Sequence, residues 1–232
     1  MHSIIGRTAN HFAMKWCSSL SKLSKERGKV LMFHNIGNPD GELNLDVPAF
    51  ERILQNTDWG GQKTLVEWET AVTPFTALTF DDVMESFYTN AYPLLKKYRA
   101  PFTLFINLSL LDTPGYLSLK NLKELAADPL CTIGSHGMNH TYFAKYTKEE
   151  ALQDMRESKE KLRQMTSQPV ELFAFPYGSF AACGWRTHKL VRQVYHYGFS
   201  TINAPITKKM LLPKGFLPRI NVDNHTIKHI EL

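Results

Sequence analysis

Short apolar runs alternate along this chain with longer segments in which apolar residues recur every three or four positions. The short runs, such as residues 29–34, 75–80 and 101–106, predict strands buried in a sheet. The longer segments, such as residues 147–165, predict amphipathic helices. Because strand and helix alternate six or seven times with short connections and no internal repeat, the pattern indicates an α/β protein with a parallel sheet, open or closed into a barrel.

The end of this alternation is predicted from one glycine. Gly198 suits the position just after a helix C-terminus, so we predict a helix over residues 186–197 that stops there. Strands are then expected at residues 199–202 and 216–222.

The composition is that of one folded domain with a basic arm. Of the 232 residues, 43% are hydrophobic, 12% aromatic and 21% charged, which excludes a disordered or fibrous protein. The net charge of +5 favours an acidic partner, such as a phosphate-bearing substrate, an anionic membrane surface or nucleic acid. No basic helix is interleaved with aromatic residues, so we predict no nucleic-acid partner. We divide the chain into an N-terminal basic extension, residues 1–28, and a single domain, residues 29–232.

The cellular location is predicted from the cysteines and the N-terminal segment. Cys17, Cys131 and Cys183 are far apart and odd in number, so no disulfide framework is expected. Polar and basic residues interrupt the N-terminal segment, so we expect no cleavable signal peptide, and no apolar run approaches the length of about 18 residues that spans a membrane. The predicted location is the cytoplasm, peripheral to the membrane if residues 2–20 form a basic amphipathic helix rather than a solvated or packed extension. The oligomeric state is open.

Two adjacent carboxylates end the predicted strand at residues 75–80. Asp81 and Asp82 would lie where the loops of a strand–helix protein converge. Like charges so close repel each other unless a cation or a proton lies between them. The alternative is a turn followed by a helix N-cap, where Asp is also common.

Two histidines four residues apart follow another predicted strand, residues 131–134. His136 and His140 can lie on one face of a helical turn and share a metal ion. His225 and His229 have the same spacing, but they follow the last predicted strand and are expected to be solvent-exposed. One carboxylate and two imidazoles leave positions on Zn²⁺ open for water and substrate, as catalytic sites do.

Two further segments end strands at the same predicted rim. Residues 173–178 (FAFPYG) end in a turn that either points backbone N–H groups into the site or is an ordinary proline turn. His34 ends the first strand and is either a catalytic group or a hydrogen-bonded structural histidine.

These motifs, in their order, resemble a known family. Residues 79–82 (TFDD), 135–140 (SHGMNH) and 175–178 (FPYG) are similar to motifs of the polysaccharide deacetylases of carbohydrate esterase family 4. Residues 33–36 (FHNI) resemble the circularly permuted branch typified by poly-N-acetylglucosamine deacetylases, in which the acid histidine precedes the paired aspartates. The resemblance covers about residues 29–222 and implies a distorted (β/α) barrel.

The resemblance also implies roles for individual residues. Three of them would bind a divalent metal, which we expect to be Zn²⁺, with Co²⁺ or Ni²⁺ as alternatives: Asp82, His136 and His140. Asp81 would be the general base that activates water for attack on an acetyl carbonyl. His34 would protonate the departing amine, and the metal and the Tyr177 backbone N–H would hold the oxyanion.

Three positions depart from the family pattern. The paired aspartates are usually followed by Gly and here by Val83, and the first metal histidine is usually followed by Ser or Thr and here by Gly137. An Arg that steadies the base often lies three residues before the motif tyrosine, where this chain has Ala174. We predict that Arg219, at the end of the last strand, supplies the missing charge next to Asp81.

The leading functional prediction is a metal-dependent hydrolase that removes acetyl from an N-acetylated amino sugar. Its substrate would be a polysaccharide, an oligosaccharide, or a lipid- or nucleotide-linked precursor of a cell-surface glycan. A non-carbohydrate amide hydrolase is a second hypothesis, and a catalytically silent carbohydrate-binding domain is a third, because Val83 and Ala174 fall inside the motifs. Aromatic residues around an open groove would favour a sugar, and a closed charged pocket would oppose it.

Overall fold

The computed structural model of the chain describes residues 27–38, 41, 43–59, 65, 75–184, 186–207 and 214–229. The predicted basic extension, residues 1–28, lies almost wholly outside these ranges, as does Cys17. The described residues form an α/β structure around a parallel sheet, which confirms the predicted fold class.

The main sheet contains β1 (Arg27–Phe33), β4 (Phe75–Asp81), β5 (Phe102–Ile106), β6 (Cys131–Ser135), β7 (Leu172–Ala174), β8 (Tyr197–Phe199), β9 (Ile206–Thr207) and β10 (Ile220–Asn221). Its order is β10-β1-β4-β5-β6-β7-β8 with all neighbours parallel, and β9 pairs antiparallel with β1. Two short strands, β2 (Asn35–Ile36) and β3 (Asn44–Leu45), pair with each other.

The segment around β10 closes this sheet into a distorted barrel. β10 pairs with β1, while Leu217, shortly before β10, bridges in parallel to Phe199 of β8. The Leu217 N–H donates to the Gly198 carbonyl at 2.7 Å, and the Val222 N–H donates to the Met32 carbonyl on the opposite edge at 2.9 Å. One segment therefore holds both edges of the sheet, as a barrel requires.

Helices pack on the outer face of the sheet, at α1 (Val47–Gln55), α2 (Tyr92–Tyr98), α3 (Leu119–Ala126), α4 (Lys148–Thr166), α5 (Phe180–Cys183) and α6 (Thr187–Val191). Ser118 caps α3 by accepting from the Asn121 N–H, and Thr147 and Glu150 form a capping box at the start of α4. Within the described ranges, no helix combines the length and apolar character that crossing a bilayer requires.

The two faces of the sheet carry separate apolar clusters. In β4, Leu78 and Phe80 pack in the larger cluster, together with the helices. Phe75 and Ala77 belong to a smaller cluster inside the barrel. Because side chains alternate along a strand, Asp81 follows on the interior side. A strand that is apolar along most of its length thus delivers a carboxylate into the barrel.

The predicted boundaries near the end of the chain are wrong. The helix α6 ends at Val191, and Gly198 lies inside β8 instead of ending a helix. A Cβ on Gly198 would lie 2.4 Å from the Gly215 carbonyl oxygen. Glycine at this position therefore allows the segment that closes the barrel to approach β8 closely. Close approach of another backbone is a common reason for glycine in a strand, and it replaces the predicted role at a helix C-terminus.

Candidate active site

The carboxyl ends of the parallel strands meet at one rim of the barrel. The register pairs Phe33 of β1 with Phe80 of β4, and Ile106 of β5 with Ser135 of β6. The residues at and beyond these ends surround an open cavity of about 550 Å³. Its walls include most of the residues predicted from sequence: His34, Asp81, Asp82, His136, His140 and Tyr177.

Asp81, the last residue of β4, has its side chain on the interior side of the sheet, where it is held by Arg219. The Nη1 and Nη2 atoms of Arg219 donate to the two Asp81 carboxylate oxygens at 2.6 Å each, and both side chains are buried. Arg219 also donates to the Ser200 carbonyl at 3.1 Å and to the Thr79 hydroxyl at 3.3 Å. Burial alone would raise the pKa of Asp81, but the guanidinium outweighs it and lowers the pKa to about 2. Asp81 is therefore ionised and fixed in orientation at neutral pH.

Asp82 lines the cavity just beyond the strand. Asp82 and Val83 have φ angles of +59° and +51°, and the Val83 N–H donates to the Asp81 carbonyl at 2.6 Å, which makes a tight turn. The Oδ1 atom of Asp82 is buried without a hydrogen-bond partner. Burial raises the pKa of this carboxyl, and the Asp81 charge adds to the effect. The two neighbouring carboxylates therefore have opposite environments.

His136 and His140 approach the same oxygen of Asp82. The Nε2 atom of His136 lies 3.7 Å and that of His140 3.4 Å from Asp82 Oδ1. His136 Nδ1 lies 2.8 Å from the Ala174 carbonyl oxygen. That oxygen can only accept, so Nδ1 carries the proton and Nε2 presents a lone pair to the site. Burial lowers the pKa of both histidines, which favours their neutral forms.

This group of side chains fits a metal ion. Separations of 3.4 and 3.7 Å are those expected of ligands about 2.1 Å from a common Zn²⁺, and all three ligand atoms lie within 4.8 Å of one another. The donor set is two neutral imidazoles and one carboxylate whose buried oxygen lacks a partner. A cation there would offset the cost of burying that carboxylate. Three residues could hold it: Asp82, His136 and His140.

His34 follows β1 and lines the same cavity. Among the described residues, the buried side-chain nitrogen and oxygen atoms without a hydrogen-bond partner are His34 Nδ1 and Asp82 Oδ1. Burial lowers the pKa of His34, with the Asp81 charge opposing it. Two unsatisfied buried polar atoms in one cavity point to a bound group that satisfies them, because leaving them unpaired costs stability.

Exposed apolar side chains gather at the mouth of the cavity. Tyr177, with a φ of +61°, places its ring 4.5 Å from the His140 ring and stacks on Tyr142 at 4.1 Å and 12°. Tyr177, Leu43 and Tyr142 are the exposed large hydrophobic residues of the described chain, at 46%, 44% and 39% exposure. Leu43 also lines the cavity. Sequence reasoning missed Leu43 and Tyr142, although Tyr142 follows the His140 motif so closely that its position was an available signal.

The departures from the family pattern have structural counterparts. Ala174 faces the interior cluster, and Arg219 reaches Asp81 from the closing segment, where the sequence predicted a substitute charge. Gly137 has a φ of +83°. The left-handed Val83 is fully buried, so packing holds a conformation that glycine adopts without strain.

Of the second histidine pair, the structure describes the side chain of His225 but not that of His229. His225 is exposed, as predicted, and it does not line the walls described above.

Comparison with known proteins agrees with these motifs. The family model for polysaccharide deacetylases matches residues 70–196, which is more than half of the chain. The chain is also similar to the poly-beta-1,6-N-acetyl-D-glucosamine N-deacetylase of Staphylococcus aureus, with 27% identity over 169 residues that cover 66% of this chain and 56% of that protein. It thus spans little more than half the length of the curated relatives it matches.

Solved structures share the fold. A polysaccharide deacetylase from Bacillus cereus has a TM-score of 0.76 at 22% identity, over 88% of this chain and 67% of that chain. IcaB from Ammonifex degensii has a TM-score of 0.75 at 22% identity, over 88% of this chain and 95% of that chain. At this identity the likeness establishes the distorted (β/α) barrel.

Proposed function

The chain belongs to the polysaccharide deacetylase family, and we propose that it is a metal-dependent hydrolase that removes acetyl from an N-acetylated amino sugar. The observation that carries this proposal is the approach of two neutral imidazoles to the Asp82 carboxylate, directly beside an Asp81 held by Arg219. The bond broken is the amide C–N bond, and the products are acetate and a free amine.

In this proposal the metal is held by Asp82, His136 and His140. Zn²⁺ is the proposed ion, with Co²⁺ or Ni²⁺ as alternatives, and when bound it polarises the acetyl carbonyl and makes a water more acidic. The lowered pKa values of both histidines keep the imidazoles ready to bind it, since a protonated ring offers no lone pair.

Asp81 is the proposed general base. Because Arg219 binds both of its oxygens and lowers its pKa to about 2, the carboxylate is ionised and correctly oriented before the reaction, when it accepts a proton from the attacking water. The Tyr177 backbone N–H is proposed to stabilise the oxyanion that develops on the acetyl oxygen.

His34 is the proposed acid. An amine leaves an amide only when it is protonated, and His34 Nδ1 is a buried ring nitrogen without a partner in the same cavity. Its lowered pKa makes protonated His34 a stronger acid than free imidazole, although it reduces the protonated fraction at neutral pH.

The shape of the site supports a sugar substrate. The cavity of about 550 Å³ is open, and the exposed rings of Tyr142 and Tyr177 lie at its mouth. Aromatic rings at an open mouth suit a glycan chain better than a small amide, which a closed charged pocket would favour. The substrate named for the Staphylococcus aureus relative is poly-beta-1,6-N-acetyl-D-glucosamine, and we propose a glycan of this chemical class.

Acetate release tests the proposal. The protein is stripped with a chelator, reloaded with Zn²⁺ or Co²⁺ and incubated with oligomers of N-acetylglucosamine, and acetate and free amine are measured. We expect release that depends on the metal and falls by about 10²- to 10⁴-fold in Asp81→Asn, with a comparable fall in Asp82→Asn. Asp128→Asn is the control, because Asp128 bonds to the Tyr92 hydroxyl and does not line the cavity.

The result also separates the alternatives. Oligomer binding without acetate release would replace this proposal with the catalytically silent binding domain. Release from simple N-acetyl amides, with none from the sugars, would favour the non-carbohydrate amide hydrolase.

We further propose that residues 29–232 are the catalytic domain and that residues 1–28 contact an anionic surface. The protein would then act in the cytoplasm, peripheral to the membrane, on a lipid- or nucleotide-linked precursor. The net charge of +5 supports this proposal. Cosedimentation with anionic but not zwitterionic vesicles is expected, and equal binding to both would contradict it.

A further inference from the structure

Asp154 is a buried carboxylate that has no part in the chemistry above. It lies on the inner face of α4 with 6% of its surface exposed. No ion pair among the described residues involves it. Burying a carboxylate without a nearby cation costs stability, so its hydrogen bonds must offset that cost. The groups that donate these hydrogen bonds therefore indicate what role the carboxylate has.

These bonds hold the turn between the two histidines. The Oδ1 atom of Asp154 accepts from the Met138 N–H at 3.0 Å, and Oδ2 accepts from the Tyr146 hydroxyl at 3.3 Å. Met138 lies midway between His136 and His140 in the chain. The bond from Met138 therefore fixes the backbone that connects the two rings.

Gly137 makes this approach possible. A Cβ at this position would lie 3.1 Å from Asp154 Oδ1, and the φ of +83° already disfavours any other residue. The carboxylate from α4 thus occupies the space next to the turn that a side chain at this position would need.

A second contact ties the same turn to the same helix. The Gly137 N–H donates to Ser135 Oγ at 3.1 Å, and Ser135 Oγ donates to Ser158 Oγ at 3.0 Å. Ser158 lies about one helical turn after Asp154. Two consecutive backbone N–H groups, those of Gly137 and Met138, are therefore anchored to α4.

We propose that Asp154 is a positioning residue that sets the geometry of the metal site through this turn. It keeps His140 at the distance from Asp82 that a shared ion needs, and it touches neither ion nor substrate. His136 is held by β6 and by its bond to the Ala174 carbonyl, whereas His140 lies beyond the strand, on the turn itself. The inference rests on the proposed metal centre.

Co²⁺ binding by the whole chain tests this role, with dissociation constants from titration and the visible absorption of the bound ion as the spectroscopic signature. Asp154→Ala removes the acceptor and is expected to weaken Co²⁺ binding by about 10- to 100-fold and to change the spectrum. Asp154→Asn keeps an oxygen for the Met138 N–H, so it should restore both affinity and spectrum. Leu162→Ala, buried on the same helix, is the control and should lower thermal stability with binding unchanged.

Wild-type affinity and spectrum in Asp154→Ala would overturn the inference, as would an equal loss of affinity in Leu162→Ala. Should Asp154→Ala fail to fold, Gly137→Ala replaces it, because its methyl group pushes against Asp154 Oδ1. Unchanged Co²⁺ binding in that variant would overturn the inference too. Failure of the wild-type protein to bind Co²⁺ would reject the proposed metal centre itself, which distinguishes the two failures.

Discussion

At the scale of single residues, two neighbouring carboxylates differ because their surroundings differ. Asp81 is paired with Arg219, and its pKa is lowered to about 2. Asp82 is partly buried, its Oδ1 atom is buried without a hydrogen-bond partner, and the partial burial raises its pKa. Environment thus keeps the first carboxyl ionised at neutral pH and makes the second one that a cation would stabilise.

Arg219→Ala is expected to destabilise the protein by about 3–5 kcal/mol, because it leaves the Asp81 charge buried without a partner. The lowered pKa of Asp81 contributes about 2 kcal/mol of stability. That contribution is fully present above pH 3.8 and is lost as the pH falls toward 2. Arg219→Ala loses this contribution. Because the pKa of Asp81 then rises, the acid limb of the pH–rate profile should shift to higher pH. Urea unfolding at several pH values and the pH dependence of kcat/KM measure both effects.

Arg219→Lys is the matched control for this prediction. It keeps the charge but not the two parallel bonds, so it should retain part of the stability and show a reduced kcat. An Arg219→Ala protein with the normal rate and pH optimum would show that Arg219 does not serve Asp81.

Asp82→Asn is expected to stabilise the metal-free protein by about 1–3 kcal/mol, because it removes the charge from a partly buried carboxyl whose Oδ1 atom has no hydrogen-bond partner. Added metal should add about 2.7 kcal/mol to the free energy of unfolding of the wild type at 100 times Kd and so raise its thermal midpoint, while the midpoint of the variant should not change. Thermal unfolding with chelator and with Zn²⁺ measures both. A variant that is less stable than chelated wild type would contradict this account of Asp82.

His34→Ala is expected to slow hydrolysis of an N-acetyl amide by about 10²- to 10⁴-fold, because the amine needs an acid to leave. The acetyl ester of an acidic phenol needs no such help, so its hydrolysis should be much less affected. Steady-state kinetics on both substrates decide the matter, and an equal loss on both would assign His34 a role other than acid.

At the scale of elements, the connection after β4 holds strain at the site. Val83 adopts a φ of +51° although its branched side chain disfavours that region. Its side chain is fully buried, and its carbonyl accepts from the Leu117 N–H at 3.0 Å. Packing thus maintains the tight turn at Asp82 and Val83 that follows Asp81, in keeping with the strain often stored at functional sites.

Val83→Ala and Val83→Gly form a matched pair that tests this strain. Both lose the buried side chain, but only glycine relieves the left-handed backbone, worth about 1 kcal/mol. We expect the glycine variant to be the more stable of the two in urea, which reverses the usual order of alanine and glycine. An alanine variant at least as stable as the glycine variant would show that the turn is unstrained.

At the scale of the whole molecule, the segment that closes the barrel also completes the site. The segment that bonds to Gly198 on one edge and to Met32 on the other also carries Arg219, which pairs with Asp81. A substitution that weakens the contacts of the closing segment should therefore alter the geometry of the site, even if the substituted residue does not line the cavity.

Gly198→Ala is expected to destabilise the protein by about 1–3 kcal/mol, since its Cβ would lie 2.4 Å from the Gly215 carbonyl oxygen. Because Arg219 would shift with the closing segment, kcat should fall as well, measured at a temperature where the variant is folded. Leu162→Ala, which opens the core on α4 instead, should lose stability and keep kcat. If the two variants had equal kcat values, closure of the barrel would not control the geometry of the site.

By itself, the sequence determined what depends on neighbours along the chain. The apolar run from Phe75 to Phe80 and the His136 and His140 spacing predicted part of the cavity wall. The order of the three motifs, through their resemblance to a known family, implied the distorted barrel and the remaining roles. These features are readable because local periodicity sets which face a side chain takes and where an element ends. The pairing of Arg219 with Asp81 was also predicted, because the chain has Ala174 where the family often has the arginine that steadies the base.

Only the tertiary structure decided several other meetings of distant groups. It placed Gly198 in a strand that the closing segment approaches, brought Leu43 and Tyr142 to the mouth, and set Asp154 against the histidine turn. Each of these contacts joins residues well separated in the chain, so no spacing or periodicity records which partner each residue meets, even where its neighbourhood, as for Tyr142, was a signal. Packing of the helices and closure of the barrel decide such contacts, because they fix the distances between elements that local sequence leaves open.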